Sequence, residues 1–187
     1  MDPEPVGRVE ASANGVELIR LHRRKDLIGA SAARTFGSVT VRTEIGVQPN
    51  RTFVGRDQFG GLSEIQATQT SAAFVTDFAE PGGLFTSGQV IHDSIESDDP
   101  NLVRPNQEWR ASLFMRKQFA GDRGELSVRW LGSLNDGDGL IRPKLSYDVS
   151  DQVRVNVGAD LFYGRREGAF GQFKDNDRLV LSVSRTF

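Results

Sequence analysis

The sequence predicts an all-β fold, an antiparallel up-and-down transmembrane β-barrel of about ten strands. Three observations predict it. Apolar residues recur at a period of two rather than 3.6, the spacing that gives a strand one apolar and one polar face. The strands so defined run roughly ten to thirteen residues. That is longer than the about 5–6 of soluble sheets and suits the roughly 9–11 that cross a bilayer. The connections between them alternate long and short, as in a barrel with long loops outside and tight turns on the periplasmic side.

In chain order, residues 1–13 are a lead segment or an extra strand. Residues 14–187 are the barrel, either whole or as the C-terminal part of a larger one. Residues 16–22 and 25–34 read as strands whose faces the pattern does not assign. At 39–47, Val39, Val41, Ile45 and Val47 alternate with Thr40, Arg42 and Glu44. Residues 63–78, rich in Ala, Thr and Gln, and 84–95 are strands with a blurred alternation. The register then clears. Trp109, Ala111, Leu113, Met115 and Phe119 oppose Arg110, Ser112, Arg116 and Gln118. Leu126, Val128, Trp130 and Leu134 oppose Ser127, Arg129 and Ser133. Ile141, Pro143, Leu145, Tyr147 and Val149 oppose Arg142, Lys144, Ser146 and Asp148. Val153, Val155, Val157, Ala159, Leu161 and Tyr163 oppose Arg154, Asn156, Gly158 and Asp160. Between these strands, residues 48–62, 96–106 and 164–176 read as long loops. Residues 35–37, 80–83, 120–123 and 150–151 read as short turns, and 135–138 is intermediate.

The 187 residues make one domain by length. The apolar share is 37 %, below the usual 45–50 %, and mean hydropathy is −0.39. A barrel with a polar interior needs no more, because only every second residue meets lipid. No apolar run of about 18 residues is present, which excludes a transmembrane helix. Net charge is −2 with both signs interleaved, so there is no basic stripe to suit a nucleic acid. The absence of cysteine excludes thiolate-held zinc, iron–sulfur and thiol chemistry, and no cofactor is expected. Met1-Asp2-Pro3-Glu4-Pro5 has neither the basic nor the apolar region of an export signal. An exported chain then reads as a mature form or as the C-terminal piece of a longer one.

The end of the chain narrows the class. Leu179, Leu181, Val183 and the terminal Phe187 share one parity, and Arg178, Ser182, Ser184 and Thr186 the other. A long amphipathic strand closing on a terminal aromatic resembles the last strand of a bacterial outer-membrane β-barrel. That resemblance implies Phe187 in the interfacial girdle and in the signal read by the barrel-assembly machinery. Arg185 departs from the pattern on the apolar parity, near enough to the end to snorkel. Residues 158–164, Phe170-Gly171-Gln172-Phe173, Asn176-Asp177-Arg178 and residues 140–147 together resemble the C-terminal strands of a porin-like outer-membrane family of Gram-negative bacteria. The likeness is good over residues 105–187 and weak before them. It implies an outer-membrane location and the lipid bilayer as a partner. Trp109 and Tyr163 fall at the outer ends of apolar rows, and Phe119, Tyr147 and Phe187 at the periplasmic ends.

Candidate chemistry is sparse. His92-Asp93-Ser94 places a His and a Ser on one strand face, similar to the pair in outer-membrane phospholipases, but no orienting Asn can be identified. It reads as an ordinary rim histidine, and no catalysis is expected. Residues 135–139, Asn-Asp-Gly-Asp-Gly, lack the Glu that completes an EF-hand loop and read as a hairpin loop. The inward row carries the functional content: Arg110, Arg116, Arg129, Arg142, Lys144, Arg154 and Arg178, countered by Glu108, Asp148 and Asp160. In a water-filled lumen this excess would favour anions. In a narrow barrel the same residues would pair and fill the interior. The expectation is therefore a porin-like protein for passive passage of small solutes, anions among them. The alternatives are a filled structural or binding barrel whose loops 48–62 and 164–176 meet a partner, and a soluble β-sandwich.

Overall fold

The computed structural model describes residues 5–12, 15–22 and 26–186. It is all-β apart from one 3-10 turn, Gly171–Phe173. Strands β1 (Pro5–Ser12) and β2 (Gly15–His22) form an antiparallel hairpin of their own. The others are β3 (Ile28–Phe36), β4 (Val39–Arg56), β5 (Leu62–Ala79), β6 (Leu84–Glu96), β7 (Gln107–Phe119), β8 (Gly124–Ser133), β9 (Asp138–Ser150), β10 (Val153–Tyr163) and β11 (Arg178–Arg185). They stand in one nine-stranded antiparallel sheet in strict chain order, with β3 and β11 at its edges. Each strand pairs with its neighbours in sequence, an unbroken antiparallel meander. Phe187, the terminal aromatic of the sequence reading, lies outside the described residues.

The chain divides into two compact units. One, here the wall, comprises residues 31–45, 72–93 and 108–187. Its register keeps like with like. Lys117, Leu126, Leu145, Val157 and Leu181 are successive cross-strand partners from β7 to β11, and Met115, Val128 and Pro143 run beside them. A one-residue slip would turn every one of these side chains to the other face. The register shifts once, between Val153 and Arg154, where the short turn of residues 151–152 meets β10.

Burial in the wall is the reverse of a soluble sheet. Leu126 and Leu145 on the apolar face are 49 % and 44 % exposed, whereas Ser146 and Asp160 on the polar face are 2 % and 3 % exposed. A sandwich would cover the leucines with a second sheet. Here the polar side chains cover one another and the apolar ones are left to a solvent that suits them, which in a membrane is lipid.

The other unit includes Gly46–Ser71 and Ser94–Gln107 and has the burial of an ordinary protein. Phe53, Ala67 and Ile95 are buried together with Leu102 against them. Residues of the β6–β7 connection pair with β4: Arg56 N–H donates to Asn101 O at 2.9 Å and Val103 N–H to Val54 O at 3.2 Å. An edge that would be open is thereby paired.

This unit corrects the sequence reading. Residues 48–62 are not a long loop. β4 and β5 are each 18 residues long, and only residues 57–61 connect them, with Asp57 Oδ1 accepting from the N–H groups of Phe59 and Gly61. Pro49-Asn50, at the start of the expected loop, is an irregularity within the strand, Asn50 having φ 53°. Arg42 meets Asp77 and Arg51 meets Gln69, a separation of nine residues in β4 against eight in β5. The odd extra residue is the signature of a β-bulge. It turns Arg51 and Phe53 to the face that the even-numbered residues hold before it.

Candidate functional site on the polar face

Two neighbouring rows cross the wall at mid-height. In the first, Phe114 of β7 pairs with Arg129, Arg129 with Arg142, and Asp160 of β10 with Arg178. In the second, Arg116 pairs with Ser127, Ser127 with Lys144, Lys144 with Gly158 and Gly158 with Val180. Five cations and one carboxylate therefore share the belt. Glu108 and Asp148, the other anions of the sequence reading, lie near strand ends, as do Asp93, Glu125 and Asp138.

Asp160, Asp148 and Asp93 are each engaged by arginine. Buried Asp160 accepts from the Nε of both Arg142 and Arg178, one on each oxygen. Asp148 takes the fork of Arg154 at 2.7 and 2.9 Å, the bidentate geometry that guanidinium favours. Arg110 meets buried Asp93, with Glu108 at 3.8 Å. The remaining cations find no carboxylate. Arg116 lies over the ring of Phe85 at 5.6 Å and Arg129 over Phe114 at 5.3 Å, the two rings being 6.2 Å apart. Lys144 makes no ion pair among the described residues and borders a recess beside Gly158. Arg129 and Arg142 stand directly opposite each other, a like-charge pairing that disfavours the sheet unless water or an anion lies between them.

Sequence parity thus finds the cations but not Phe85, Phe114 or Asp93. Phe114 was legible as an aromatic on the parity of Arg110, Ser112 and Arg116. Phe85 and Asp93 lie in β6, whose alternation is too blurred to assign a face.

Of the expected girdle residues, Trp109, Phe119, Tyr147 and Tyr163 are on the apolar face and exposed, at the two ends of the wall. Trp109 stacks on His92 with ring centroids 4.1 Å apart, and Tyr163 OH accepts from Trp130 Nε1 at 2.7 Å. At the other end, Phe119 and Tyr147 are exposed, and the Arg123 cation lies over the Tyr147 ring at 5.6 Å. His92 and Ser94 are engaged locally, the Ser94 Oγ accepting from Gln107 Nε2 at 2.9 Å. In residues 135–139, Asn135 Oδ1 accepts from Trp109 N–H at 2.6 Å. Asp138 Oδ2 accepts from Phe170 and Gly171 N–H at 2.6 and 2.9 Å, and so ties down the connection of residues 164–177.

No protein-family model and no curated protein sequence matches the chain. Among solved structures it is similar to OmpT, an outer membrane protein of Vibrio cholerae folded in vitro and seen in a trimer form. The TM-score is 0.53 and the identity 14 %, over 97 % of this chain and 60 % of that one. The likeness shows the fold, an outer-membrane β-barrel sheet, and this chain spans about three-fifths of that neighbour's length.

Proposed function

We propose that the chain forms the wall of a porin-like channel in a bacterial outer membrane, for passive passage of small solutes with anions favoured. The observation that carries it is the mid-height belt, in which Arg116, Arg129, Arg142, Lys144 and Arg178 face one carboxylate, Asp160. Fixed charges on low-dielectric walls concentrate counter-ions in a water-filled passage, and rings of Arg and Lys select anions. The reading requires no catalytic step. Its natural partners are the lipid bilayer against the exposed apolar face and the barrel-assembly machinery at insertion.

A second reading has support of its own. The Arg142–Asp160–Arg178 and Arg154–Asp148 pairs and the Phe85–Phe114 contact are what a filled interior would contain, and small barrels fill with side chains. Reversal potential in a salt gradient across a planar bilayer separates the two. A channel gives conductance biased toward chloride, and Arg129→Gln with Lys144→Gln moves the bias toward potassium. Silent insertion supports the filled barrel.

A further inference from the structure

We propose that the recess beside Gly158 is a binding site for the phosphate monoester of a small polyhydroxylated compound. The inference rests on the reading of the polar face as the side of a water-filled passage.

Gly158 lines the recess without a side chain, and a Cβ there would lie 3.0 Å from the Pro143 carbonyl oxygen of the neighbouring strand. Lys144 is its cross-strand partner on β9 and Val180 on β11. The cavity holds about 340 Å³, room for a phosphorylated sugar and little more. Arg142, Lys144 and Arg178 stand around it, and Asn156 and Ser182 border it on one side. Both arginines spend their Nε on Asp160, and among the described residues the terminal nitrogens of each fork have no side-chain acceptor. The Lys144 ammonium, with three donors, is likewise unspent. Three cations against one carboxylate, Asp160, leave the recess with two positive charges. A phosphate monoester carries about −1.5 to −2 at neutral pH and three acceptor oxygens, which matches both the charge and the donors. Asp160 is already flanked by a guanidinium on each oxygen, so the net positive charge of the recess favours an anion over a zwitterion.

The second element is polar and uncharged. Asn156 Nδ2 donates to Ser182 Oγ at 3.1 Å, and the Asn156 carbonyl oxygen has no partner. An amide and a hydroxyl side by side offer both donors and acceptors. They stand one cross-strand row from Lys144, about 7 Å along the strand, a span suited to the hydroxyls of a compound whose phosphate lies among the cations.

The test uses the full chain folded in detergent, with binding read by calorimetry and conductance measured on the same sample in bilayers. Glucose 6-phosphate should bind about ten-fold or more tighter than inorganic phosphate and tighter still than glucose, one well-placed hydrogen-bonding group accounting for about a factor of ten. Lys144→Met should weaken it by about ten-fold or more. Gly158→Val should abolish it by filling the recess without changing charge. Arg166→Gln, in the connection after β10, should leave it unchanged. Binding of glucose 6-phosphate no tighter than that of glucose would overturn the site, and equal affinity for inorganic phosphate would overturn its polyol half. An indifferent Lys144→Met would do the same for the cationic half, even if Gly158→Val fails to fold. Conductance without binding leaves the channel standing and removes the site. Neither conductance nor binding removes both.

Discussion

In the wall, Leu126 and Leu145 are half exposed while Ser146 and Asp160 are buried; in the unit holding Gly46–Ser71 and Ser94–Gln107, Phe53, Ala67 and Ile95 form a small buried apolar cluster, with Gln69 buried as well. Both units are built from the same antiparallel strands, and β4, β5 and β6 contribute to both. What differs is the solvent that each set of residues is written for. Lipid rewards an apolar exterior and leaves the interior to ion pairs, whereas water rewards an apolar interior and tolerates almost anything outside. One strand can therefore serve both regimes, provided the face that carries its apolar residues changes along its length. In β4, within Gly46–Ser71, Asn50 with its φ of 53° interrupts the regular strand.

The largest expected effect breaks the comparison at the small core. Phe53→Ala should cost about 3 kcal/mol, the lower end of the range for a buried Phe, because its apolar cluster is small, Ala67, Ile95 and Leu102, with the Arg51 cation over its ring. Hydrogen exchange would localise the loss. The amides of Arg56 and Val103, bonded to Asn101 and Val54, should lose protection while those of the β8–β9 ladder keep theirs. A uniform loss across both units would mean that the wall and the core fold as one body, and the contrast drawn here would fail.

A second experiment holds exposure constant and changes only the surroundings. Leu145 and Val54 are 44 % and 53 % exposed, one in the wall and one in the core-bearing unit. Leu145→Arg should cost roughly 2–4 kcal/mol in liposomes, the penalty for a cation facing lipid near the midplane. Val54→Arg should fall within about 0.5 kcal/mol, as exposed substitutions in water do. Equal costs, in either direction, would place both residues in the same solvent.

The same contrast explains how much was legible in the sequence. From β7 onward, lipid on one side and polar groups on the other enforce strict parity, so Gln107–Phe119 was bounded correctly and neighbouring strands nearly so. The cations of the belt follow from that parity alone. So does Asp160, the partner of Arg142 and Arg178, whereas Phe85 beneath Arg116 and Asp93 beside Arg110 depend on the β6–β7 register, and β6 mixes Gly, Ser and Gln with its apolar residues. The distal part of β4 was misread as a loop for a related reason. Without lipid there is no demand for apolar residues on one parity, and Pro49-Asn50 carries strong turn chemistry. The family likeness drawn from residues 140–178 has support at the level of the outer-membrane barrel fold.

Asn50 supplies the smallest effect and the sharpest test of how one strand changes regime. At φ 53° an ordinary L-residue meets its own carbonyl and loses about 1–2 kcal/mol, whereas Gly is indifferent and Asn nearly so. Asn50→Gly should therefore leave stability within a few tenths of a kcal/mol, its added backbone freedom offsetting any relief of strain. Asn50→Val should cost about 1–2 kcal/mol, since a β-branched side chain tolerates this region least. The cost should appear as lost protection at the Arg56 and Val103 amides, because the bulge is what brings Arg51 and Phe53 to the face of Gln69 and Ala67. If Asn50→Val is as stable as Asn50→Gly and those amides are untouched, the positive φ is not required. The face of β4 would then have to change by another route, with Arg51 and Phe53 held on their side by packing alone.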